Sequence, residues 1–558
     1  MKASKRLLML AALVAGAGTL GAQTTAPAAD ARENLVFEDV TVRTGLPQIM
    51  KAWKDEQEAL QEQAHPGTRD SGWWWPTAVS AGDFTGSGRP DIVFAHHSSP
   101  GTRIFFNVSS GAGTPLFDDQ TRVRTLSGAF SLMAADGSTY VFDVNGDGFP
   151  DVTTISDEAT PWSALNDGAG RFAVRKMPFK SSQALLHDVD GDGRIDVVGL
   201  LPFKLMLNRD YGSYVPAQAA PGSPFLALTP EMVVPGMATV NAKGVASLGW
   251  YVARRVDPGG PYGEVVIATF GSGYGAQRLF AVARNAAGAY QDVTAWLGLP
   301  ADGHLGGVSD FNGDGVRDVL VTASTKSGVY LNDGRGRFER ASDDVANDLS
   351  LRPDPATTMD SLADFDEDGK PELLVVTFRF GRQSRLYHNA GGRFVRAQDL
   401  LGAWQFVVCD LDGDGRLDIL AGTNDGPRVL LNRTPAAGNF INVRLKGPPE
   451  NVVGLDAIVE AYRPGGLGQP DKLIARVRNN TEGSPAHLSV CGIGHSHGGN
   501  LPVHLGLGKA GTVDLRVTFP GGKVVELRGV KTDQTVSASV VTQVVARSAG
   551  FSTHPGVR

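Results

Sequence analysis

The chain has 558 residues, 70 of them Gly, and carries a formal net charge of −7 at pH 7. A chain of this length has room for more than one domain with a buried core. Its acidic balance gives no support for nucleic-acid binding, which requires a basic stripe, and we therefore expect no nucleic-acid partner.

Residues 1–22 have the organisation of a secretory signal peptide. Lys2, Lys5 and Arg6 precede an apolar stretch over residues 7–20, and small residues follow up to Ala22. The stretch is short for a membrane span, and no later segment is long enough to cross a bilayer. We expect a secreted protein, extracellular or periplasmic, with no membrane span after signal cleavage. An uncleaved anchor is the alternative, and the cleavage site stays open.

The remaining sequence is Gly-rich and has little helical periodicity, which favours an all-β fold. Residues 50–64 (MKAWKDEQEALQEQA) are the exception, and we predict a helical insertion there. The two cysteines, Cys409 and Cys491, lie in different predicted domains. A disulfide between the domains and two free thiols are both open, and we favour free thiols.

Nine-residue acidic loops recur along the chain. Five copies are near-strict and one is weaker, and each is followed by a short β-branched or apolar run that indicates a strand. We number the loops by repeat and keep the number 4 for a degenerate repeat described below. In chain order they are loop 1 (83–91, DFTGSGRPD), loop 2 (143–151, DVNGDGFPD), loop 3 (188–196, DVDGDGRID), loop 5 (310–318, DFNGDGVRD), loop 6 (364–372, DFDEDGKPE) and loop 7 (410–418, DLDGDGRLD).

These loops have the ligand types that calcium prefers. Oxygen side chains stand at positions 1, 3, 5 and 9, position 7 can offer a backbone carbonyl, and hard oxygen ligands with no His or Cys favour Ca²⁺ over transition metals. Glycine at position 6 lets the chain wrap around an ion. The alternative is a set of Asp/Gly turns that bind nothing. The predicted calcium ligands are Asp83, Thr85, Ser87, Asp91, Asp143, Asn145, Asp147, Phe149, Asp151, Asp188, Asp190, Asp192, Arg194, Asp196, Asp310, Asn312, Asp314, Val316, Asp318, Asp364, Asp366, Asp368, Lys370, Glu372, Asp410, Asp412, Asp414, Arg416 and Asp418.

The spacing of the loops predicts the architecture. They begin at residues 83, 143, 188, 310, 364 and 410, and the gap between loops 3 and 5 is about twice the others. A degenerate fourth repeat over residues 256–267 fills that gap and brings the count to seven. Strand-type repeats of this period indicate a β-propeller with four-stranded blades.

A second signature supports these repeats. Asn-Asp-Gly or a variant stands between apolar runs at residues 165–172, 331–338 and 387–394, which is a hairpin signal. Residues 36–41 resemble the strand that ends a repeat, as residues 290–294 do. We therefore expect the N-terminal strand to join the last blade and close the ring.

The loops and their period resemble the FG-GAP/VCBS repeats of integrin α-chain propellers. The region from about residue 439 to residue 545 resembles the ASPIC/UnbV domain, through residues 439–445 (NFINVRL), 454–459 (GLDAIV), 504–508 (HLGLG) and 513–522 (VDLRVTFPGG). Together the chain is similar to the cartilage acidic proteins. The resemblance implies a calcium-binding propeller and an extracellular location, without a settled activity.

The predicted fold is a seven-bladed β-propeller with calcium-binding loops, followed by a β-rich C-terminal domain. The predicted boundaries are 1–22 for the signal peptide, 33–435 for the propeller, 438–546 for the ASPIC/UnbV-like domain and 547–558 for a tail. We predict an extracellular binding or adhesion-like module for a protein or carbohydrate ligand. The alternative is an extracellular lyase, dehydratase or hydrolase that uses the central funnel, although no nucleophile elbow or phosphate loop stands out.

Two further groups of residues leave alternatives open. Cys491, His495, His497 and His504 could bind Zn²⁺ or Cu²⁺, or belong to a Gly-rich surface loop. Residues 73–75 (WWW), with residues 96–97 (HH) after the following strand, could stack on sugars or simply pack against the helical insertion or the C-terminal domain.

Overall fold

The computed structural model of the chain consists mainly of short antiparallel strands. It describes residues 35–64, 75–97, 102–126, 138–155, 162–177, 184–187, 192, 194–200, 203–210, 213–216, 239–240, 246–247, 252–256, 259–262, 265–271, 277–284, 290–322, 324, 326–341, 358–377, 384–403, 405–423, 425–435, 438–455, 457–479 and 501–540. The predicted signal peptide and the predicted tail lie outside these residues.

Seven four-stranded antiparallel sheets occupy residues 37–432. Sheet 1 contains β2 (Trp75–Gly82), β3 (Asp91–His97), β4 (Arg103–Asn107) and β5 (Phe117–Asp119). Sheet 2 contains β6 (Ser138–Phe142), β7 (Asp151–Ile155), β8 (Trp162–Asn166) and β9 (Phe172–Lys176). Sheet 3 contains β10 (Ala184–His187), β11 (Asp196–Leu200), β12 (Phe203–Asp210) and β13 (Ser213–Pro216). A two-stranded ribbon of β14 (Thr239–Val240) and β15 (Ala246–Ser247) follows sheet 3.

Sheet 4 lies where the degenerate repeat is predicted. Sheet 4 contains β16 (Val252–Val256), β17 (Val265–Gly271), β18 (Gln277–Arg284) and β19 (Tyr290–Asp292). Sheet 5 contains β20 (His304–Ser309), β21 (Asp318–Thr322), β22 (Gly328–Asn332) and β23 (Phe338–Arg340). Sheet 6 contains β24 (Thr358–Ala363), β25 (Glu372–Thr377), β26 (Ser384–Asn389) and β27 (Phe394–Leu400). Asp257, in the degenerate loop, lies outside the described residues.

Sheet 7 combines the two ends of the repeat region. It contains β28 (Gln405–Cys409), β29 (Asp418–Thr423), β30 (Gly426–Asn432) and the N-terminal β1 (Phe37–Asp39). β1 runs antiparallel to β30, with Phe37 opposite Asn432 and Asp39 opposite Leu430. The predicted pairing of the N-terminal strand with the last repeat is confirmed.

Each acidic loop joins the first and second strands of its sheet. The residue at position 9 begins the second strand, as in sheet 1, where Asp91 pairs with Gly82. The Asn-Asp-Gly turns join the third and fourth strands, and they are closed by backbone bonds such as Asp167 N–H to Arg171 C=O (3.0 Å) and Asp333 N–H to Arg337 C=O (2.9 Å). The predicted strand after each acidic loop and the predicted hairpins at the Asn-Asp-Gly motifs are therefore both present.

The hydrophobic cores lie between successive sheets. Strand residues alternate between the two faces of a sheet, so each sheet can contribute to the core on either side. Separate buried clusters join sheets 1 and 2, 2 and 3, 4 and 5, 5 and 6, and 6 and 7. A further cluster joins sheets 7 and 1, through Val79 of β2 and Val407 of β28. Sheet 1 thus packs against both its sequence neighbour and the last sheet.

Helix α1 spans Leu46–Ala64 and covers the boundary between sheets 7 and 1. Leu46, Met50 and Trp53 are buried in the core that these two sheets share. The short helices are α2 (Thr121–Arg124), α3 (Thr294–Leu297) and the 3₁₀ turns Thr41–Thr44, Gly260–Tyr262, Pro470–Lys472 and Pro520–Gly522. Among the described helices, none is long and apolar enough to span a membrane.

The C-terminal region forms two further sheets around its own core. The first contains β34 (Val503–Gly506), β31 (Phe440–Lys446) and β37 (Gln534–Ser539), and the second contains β33 (Leu473–Asn479), β32 (Ala457–Tyr462), β35 (Thr512–Thr518) and β36 (Val524–Lys531). β31 and β37 run parallel. Their core includes Ile441, Val459 and Leu515, all fully buried.

Candidate metal centres

The acidic loops share one backbone turn. In loop 2 the two carboxylate oxygens of Asp143 accept the backbone N–H groups of Gly146 (2.7 Å) and Gly148 (2.8 Å). In loop 5 Asp310 accepts the corresponding N–H groups of Gly313 (2.7 Å) and Gly315 (2.7 Å). The same bonds recur around the first residue of loop 7. The carboxylate at position 1 therefore organises the turn before any ion is considered.

Positive backbone φ angles allow this turn to close. Position 6 is a glycine with φ between 82° and 95° in every loop whose sixth residue is described: Gly88, Gly148, Gly315, Gly369 and Gly415. Position 4 is also left-handed, and there loop 6 has Glu367 (φ 62°) where the other described loops have glycine. Glu367 is 1% exposed, and burial raises its pKa to about 8.

The carboxylate at position 9 joins three segments of its sheet. In loop 7 one oxygen of Asp418 accepts Leu411 N–H (2.7 Å), and the other accepts Asn432 N–H of the third strand (2.7 Å). Loops 1, 2, 5 and 6 have the equivalent pair of bonds. Position 9 therefore has a structural role besides its predicted role as a ligand.

Loops 6 and 7 bring three carboxylates close enough for one ion. One oxygen each from Asp364, Asp366 and Asp368 lie within 4.8 Å of one another, and so do oxygens from Asp410, Asp412 and Asp418. The Asp366 Oδ2 atom is buried and makes no hydrogen bond of standard geometry, although His388 Nδ1 lies 3.1 Å away. Oxygen-rich groups of buried and half-buried carboxylates of this kind fit a hard cation such as Ca²⁺.

Burial makes ionisation of these carboxylates unfavourable. It raises the pKa of Asp143 and Asp318 to about 7, with a further contribution from neighbouring loop carboxylates. Burial followed by the Glu372 carboxylate raises the pKa of Asp364 well above its ordinary value. A bound divalent cation would reverse this effect, because opposite charge favours the ionised form.

Basic side chains share these carboxylates. Lys370 Nζ lies 2.8 Å from Asp368 Oδ2, Arg416 pairs with Asp414 at 3.3 Å, and Arg194 pairs with Asp192. Arg433 Nη1 lies 2.8 Å from Asp412 Oδ2, whose side chain is 2% exposed. These basic side chains therefore relieve part of the repulsion among the loop carboxylates without a bound ion.

Loop 1 has the fewest carboxylates. Asp83 accepts Ser87 N–H (2.8 Å) and Gly88 N–H (2.7 Å), and an Arg444 Nη1 atom of the C-terminal domain lies 3.9 Å from Asp83 Oδ2. In loop 3, Asp192, Arg194 and Asp196 are described, whereas Asp188 and Asp190 lie outside the described residues. Their assignment as ligands stays a prediction.

The sequence argument missed a repeated asparagine contact between sheets. The asparagine that ends the third strand donates from its side chain to the carbonyl at position 2 of the preceding loop. Four such bonds join Asn166 to Phe84, Asn208 to Val144, Asn389 to Phe311, and Asn432 to Phe365. The asparagine of the Asn-Asp-Gly motif is the sequence feature that marks this contact, although the motif by itself predicts only a turn.

Sequence reasoning also missed His388, which lies in the hairpin variant of sheet 6. Its Nδ1 atom is 3.1 Å from Asp366 Oδ2 and 3.3 Å from Glu372 Oε1. These two carboxylates raise the pKa of His388 to about 10. The sequence signal was a histidine at a strand position where sheets 2, 3, 5 and 7 have leucine: Leu165, Leu207, Leu331 and Leu431.

A cavity of about 250 Å³ lies between the loops and the C-terminal domain. Sheets 5, 6 and 7, loop 1 and the strands β31 to β34 contribute to its wall. Its charged lining includes Asp310, Asp364, Asp410, Arg317, Arg444, Arg476 and Arg478. Cys409 also lines the cavity as a free thiol, and burial raises its pKa well above the ordinary value, so it is not activated as a nucleophile.

The remaining candidates are only partly described. Cys491, His495 and His497 lie outside the described residues, as do the first two residues of the Trp73–Trp75 run. His504 Nδ1 lies 2.9 Å from Asn442 Oδ1, and its ring stacks on Phe440 at 5.7 Å. His504 therefore has partners other than the predicted Cys/His group.

Family comparison identifies the repeats. A family model described as FG-GAP-like repeat matches residues 310–375 and 364–421, which contain loops 5, 6 and 7. The repeats over residues 310–421 are therefore FG-GAP-like, as their loops predicted.

The sequence relatives include cartilage acidic protein 1. The Homo sapiens protein is 28% identical over 264 residues, which cover 43% of this chain and 36% of the relative. The Mus musculus protein is 27% identical over 264 residues, covering 43% and 37%. The predicted resemblance to the cartilage acidic proteins is confirmed, and the match spans little more than a third of the length of these relatives.

Solved structures show weaker likeness. Saccharomyces cerevisiae Sqt1 is 11% identical with a TM-score of 0.35, covering 65% of this chain and 97% of that one. A putative 6-phosphogluconolactonase from Bacteroides fragilis is 13% identical with a TM-score of 0.38, covering 63% and 93%. TM-scores of this size carry no functional argument.

Proposed function

We propose that the seven sheets form one closed seven-bladed β-propeller. Three observations support the ring: the count of four-stranded sheets, the pairing of β1 with β30, and the core that sheets 7 and 1 share. Residues of sheets 5, 6 and 7 and of loop 1 also line a single cavity, as expected if their loops meet around one axis. The C-terminal β-domain covers that end of the ring.

The propeller is proposed to bind several structural calcium ions through the predicted ligands of its six acidic loops. The observation that carries this proposal is the repeated turn, which in loops 6 and 7 brings oxygens of three buried or half-buried carboxylates to within 4.8 Å of one another. Loops 2 and 5 share the turn, with Asn in place of Asp at position 3. Position 7 would contribute its carbonyl oxygen.

We place the protein outside the cell as a binding or adhesion-like module for a protein or carbohydrate ligand. The signal-peptide pattern of residues 1–22, the FG-GAP-like repeats and the similarity to cartilage acidic protein 1 support this location. The acidic net charge supports a ligand other than nucleic acid.

Thermal unfolding tests the calcium proposal. The protein lacking residues 1–22 is melted in EGTA and in millimolar Ca²⁺, with millimolar Mg²⁺ as the ion control. An ion that binds only the folded state stabilises it by about 2.7 kcal/mol per site at a hundredfold excess over Kd. A higher melting temperature in Ca²⁺ than in Mg²⁺ supports the proposal, and identical melting in all three buffers contradicts it.

A second candidate function is chemistry or ligand binding in the cavity. If calcium neutralises the carboxylates that line the cavity, the four arginines of the lining make the cavity suited to an anionic group such as a carboxylate or sulfate. Uronic-acid and sulfated polysaccharides are incubated with the calcium-loaded protein. Binding without a change in polymer length supports the binding module, and depolymerisation supports the enzyme.

A further inference from the structure

Sheet 6 differs from the other sheets at three positions around its loop. Glu372 stands at position 9, where the other loops have Asp, and Glu367 stands at position 4. His388 precedes the asparagine of the third strand, where sheets 2, 3, 5 and 7 have leucine. The longer Glu372 side chain and the imidazole bring a nitrogen ligand to the edge of a carboxylate cluster.

The three side chains converge. His388 Nδ1 lies 3.1 Å from Asp366 Oδ2 and 3.3 Å from Glu372 Oε1, and the three ligand atoms lie within 4.8 Å of one another. The side chains of Asp366 and Glu372 are 1% and 0% exposed, whereas that of His388 is 26% exposed. An ion therefore has a path to the site past the imidazole ring.

His388 is within ion-pair distance of both carboxylates. The contact between Asp366 Oδ2 and His388 Nδ1 lacks standard hydrogen-bond geometry, and both atoms are buried. Buried polar atoms of this kind call for an explanation, and a bound ion is one of the recognised ones. The Asp366 Oδ2 atom lies next to the histidine nitrogen, and Asp366 also belongs to the carboxylate group of its own loop.

The distances suit a small tetrahedral ion. Ligands about 2.0–2.1 Å from a tetrahedral metal are about 3.3–3.4 Å from each other. The two measured nitrogen–oxygen distances, 3.1 and 3.3 Å, are close to that value. Imidazole nitrogen favours Zn²⁺ and related transition metals, whereas all-oxygen sites favour Ca²⁺.

We propose that Asp366, Glu372 and His388 bind one divalent transition metal of the zinc class, beside the calcium loop and sharing Asp366 and Glu372 with it. The site provides three protein ligands and leaves one coordination position for water or another ligand. The inference rests on the proposed calcium function, because it assigns two of the same carboxylates a second partner.

Zinc titration tests the site. Metal-free protein is titrated with Zn²⁺ by calorimetry in millimolar Ca²⁺, and the bound metal is counted by mass spectrometry. We expect a Zn²⁺ equivalent that His388→Leu weakens by about tenfold or more, equivalent to about 1.4 kcal/mol. Leucine is the residue of the matching position in four other sheets, so this variant should fold and keep its calcium-dependent melting.

Two further variants make the result specific. Glu372→Asp restores the position-9 residue of the other loops, and it should weaken Zn²⁺ while preserving Ca²⁺ binding. Cys491→Ser with His497→Ala is the control for the C-terminal Cys/His segment, and it should leave this Zn²⁺ equivalent unchanged.

Cobalt provides a spectroscopic signature. Co²⁺ bound to the wild-type protein should give visible ligand-field absorption that His388→Leu removes. No Zn²⁺ binding, or binding that survives His388→Leu and disappears with the Cys491 variant, would overturn the inference. Unchanged melting in Ca²⁺ together with His388-dependent Zn²⁺ binding would instead contradict the calcium proposal and leave the zinc site standing.

Discussion

The side-chain amide of Asn432 donates a 2.9 Å hydrogen bond to the backbone carbonyl of Phe365, 67 residues earlier and in the preceding sheet. Asn432 is fully buried, and its side-chain oxygen accepts Thr434 N–H at 3.0 Å. Because position 9 of loop 7 also binds the Asn432 backbone, a single residue connects its own loop to the loop of sheet 6.

Asn432→Ala should destabilise the protein by about 1–3 kcal/mol, since the buried Phe365 carbonyl loses its donor. Asn332→Ala is the matched control, because the Asn332 amide bonds within its own sheet to a part-buried Arg317 carbonyl (3.1 Å) that water can reach. Denaturant unfolding in saturating Ca²⁺ measures both variants. A larger loss for Asn332→Ala would argue against the importance of the contact between sheets.

Glu367→Gly should stabilise the protein by about 1 kcal/mol. A non-glycine residue in the left-handed region destabilises the fold by about 1–2 kcal/mol. Glycine removes this strain, but it loses more backbone entropy on folding, which offsets about 0.5–1 kcal/mol of the gain. Removal of the buried carboxyl, whose Oε1 has no hydrogen-bond partner, adds to the gain. Glu367→Ala is the control, because it removes the carboxyl and keeps the strain. The idea fails if Glu367→Gly melts below the wild type.

Asp412→Ala should cost about 2 kcal/mol or more, whereas Asp257→Ala should stay within about 0.5 kcal/mol. Asp412 is a predicted calcium ligand and pairs with Arg433, so its loss removes a ligand and leaves a cation without its partner. Asp257 belongs to the degenerate repeat, where we expect no metal. Denaturant midpoints in saturating Ca²⁺ compare the stability of the two variants. Equal midpoints would show that the acidic residues of the loops have a role other than binding calcium.

The calcium sites should differ in affinity, with loop 1 the weakest. It has two carboxylates, Asp83 and Asp91, whereas loops 3, 6 and 7 have four, and ligand charge is one control on affinity. Anomalous scattering from crystals grown at limiting Ca²⁺ measures occupancy. A loop 1 site that fills first would refute this ranking.

The stabilisation by calcium should increase as pH rises from about 4 to 8. Burial raises the pKa of Asp143, Asp318 and Asp410 to about 7 in the metal-free fold, above about 3.9 in an unfolded chain. The metal-free fold is therefore favoured below the lower value and loses stability as pH rises through the higher one. Bound Ca²⁺ favours the ionised form and removes that loss.

Melting temperatures in EGTA and in Ca²⁺ at several pH values measure the effect. The difference between the two buffers should be smallest near pH 4, where protons compete for the ligands. A difference that is constant across the range would show that these carboxyls are not the calcium ligands.

Much of the fold could be predicted because its signals are local. Each acidic loop, the strand after it and the following Asn-Asp-Gly turn lie within one repeat, and their spacing fixed the count of sheets, including sheet 4. The nine residues of a loop contain both the position 1 carboxylate and the N–H groups that it accepts. The sequence alone was therefore sufficient to place the turns and to nominate their oxygen ligands.

Tertiary structure decided which charges meet. His388 reaches Asp366 from another strand, Arg433 reaches Asp412 from the end of β30, and Arg444 of the C-terminal domain approaches Asp83. No spacing rule predicts these pairs, because each depends on strand register and on how sheets and domains pack. The sequence thus determined where carboxylates are concentrated, and the packing determined which of them face a basic side chain and which lie beside the His388 imidazole.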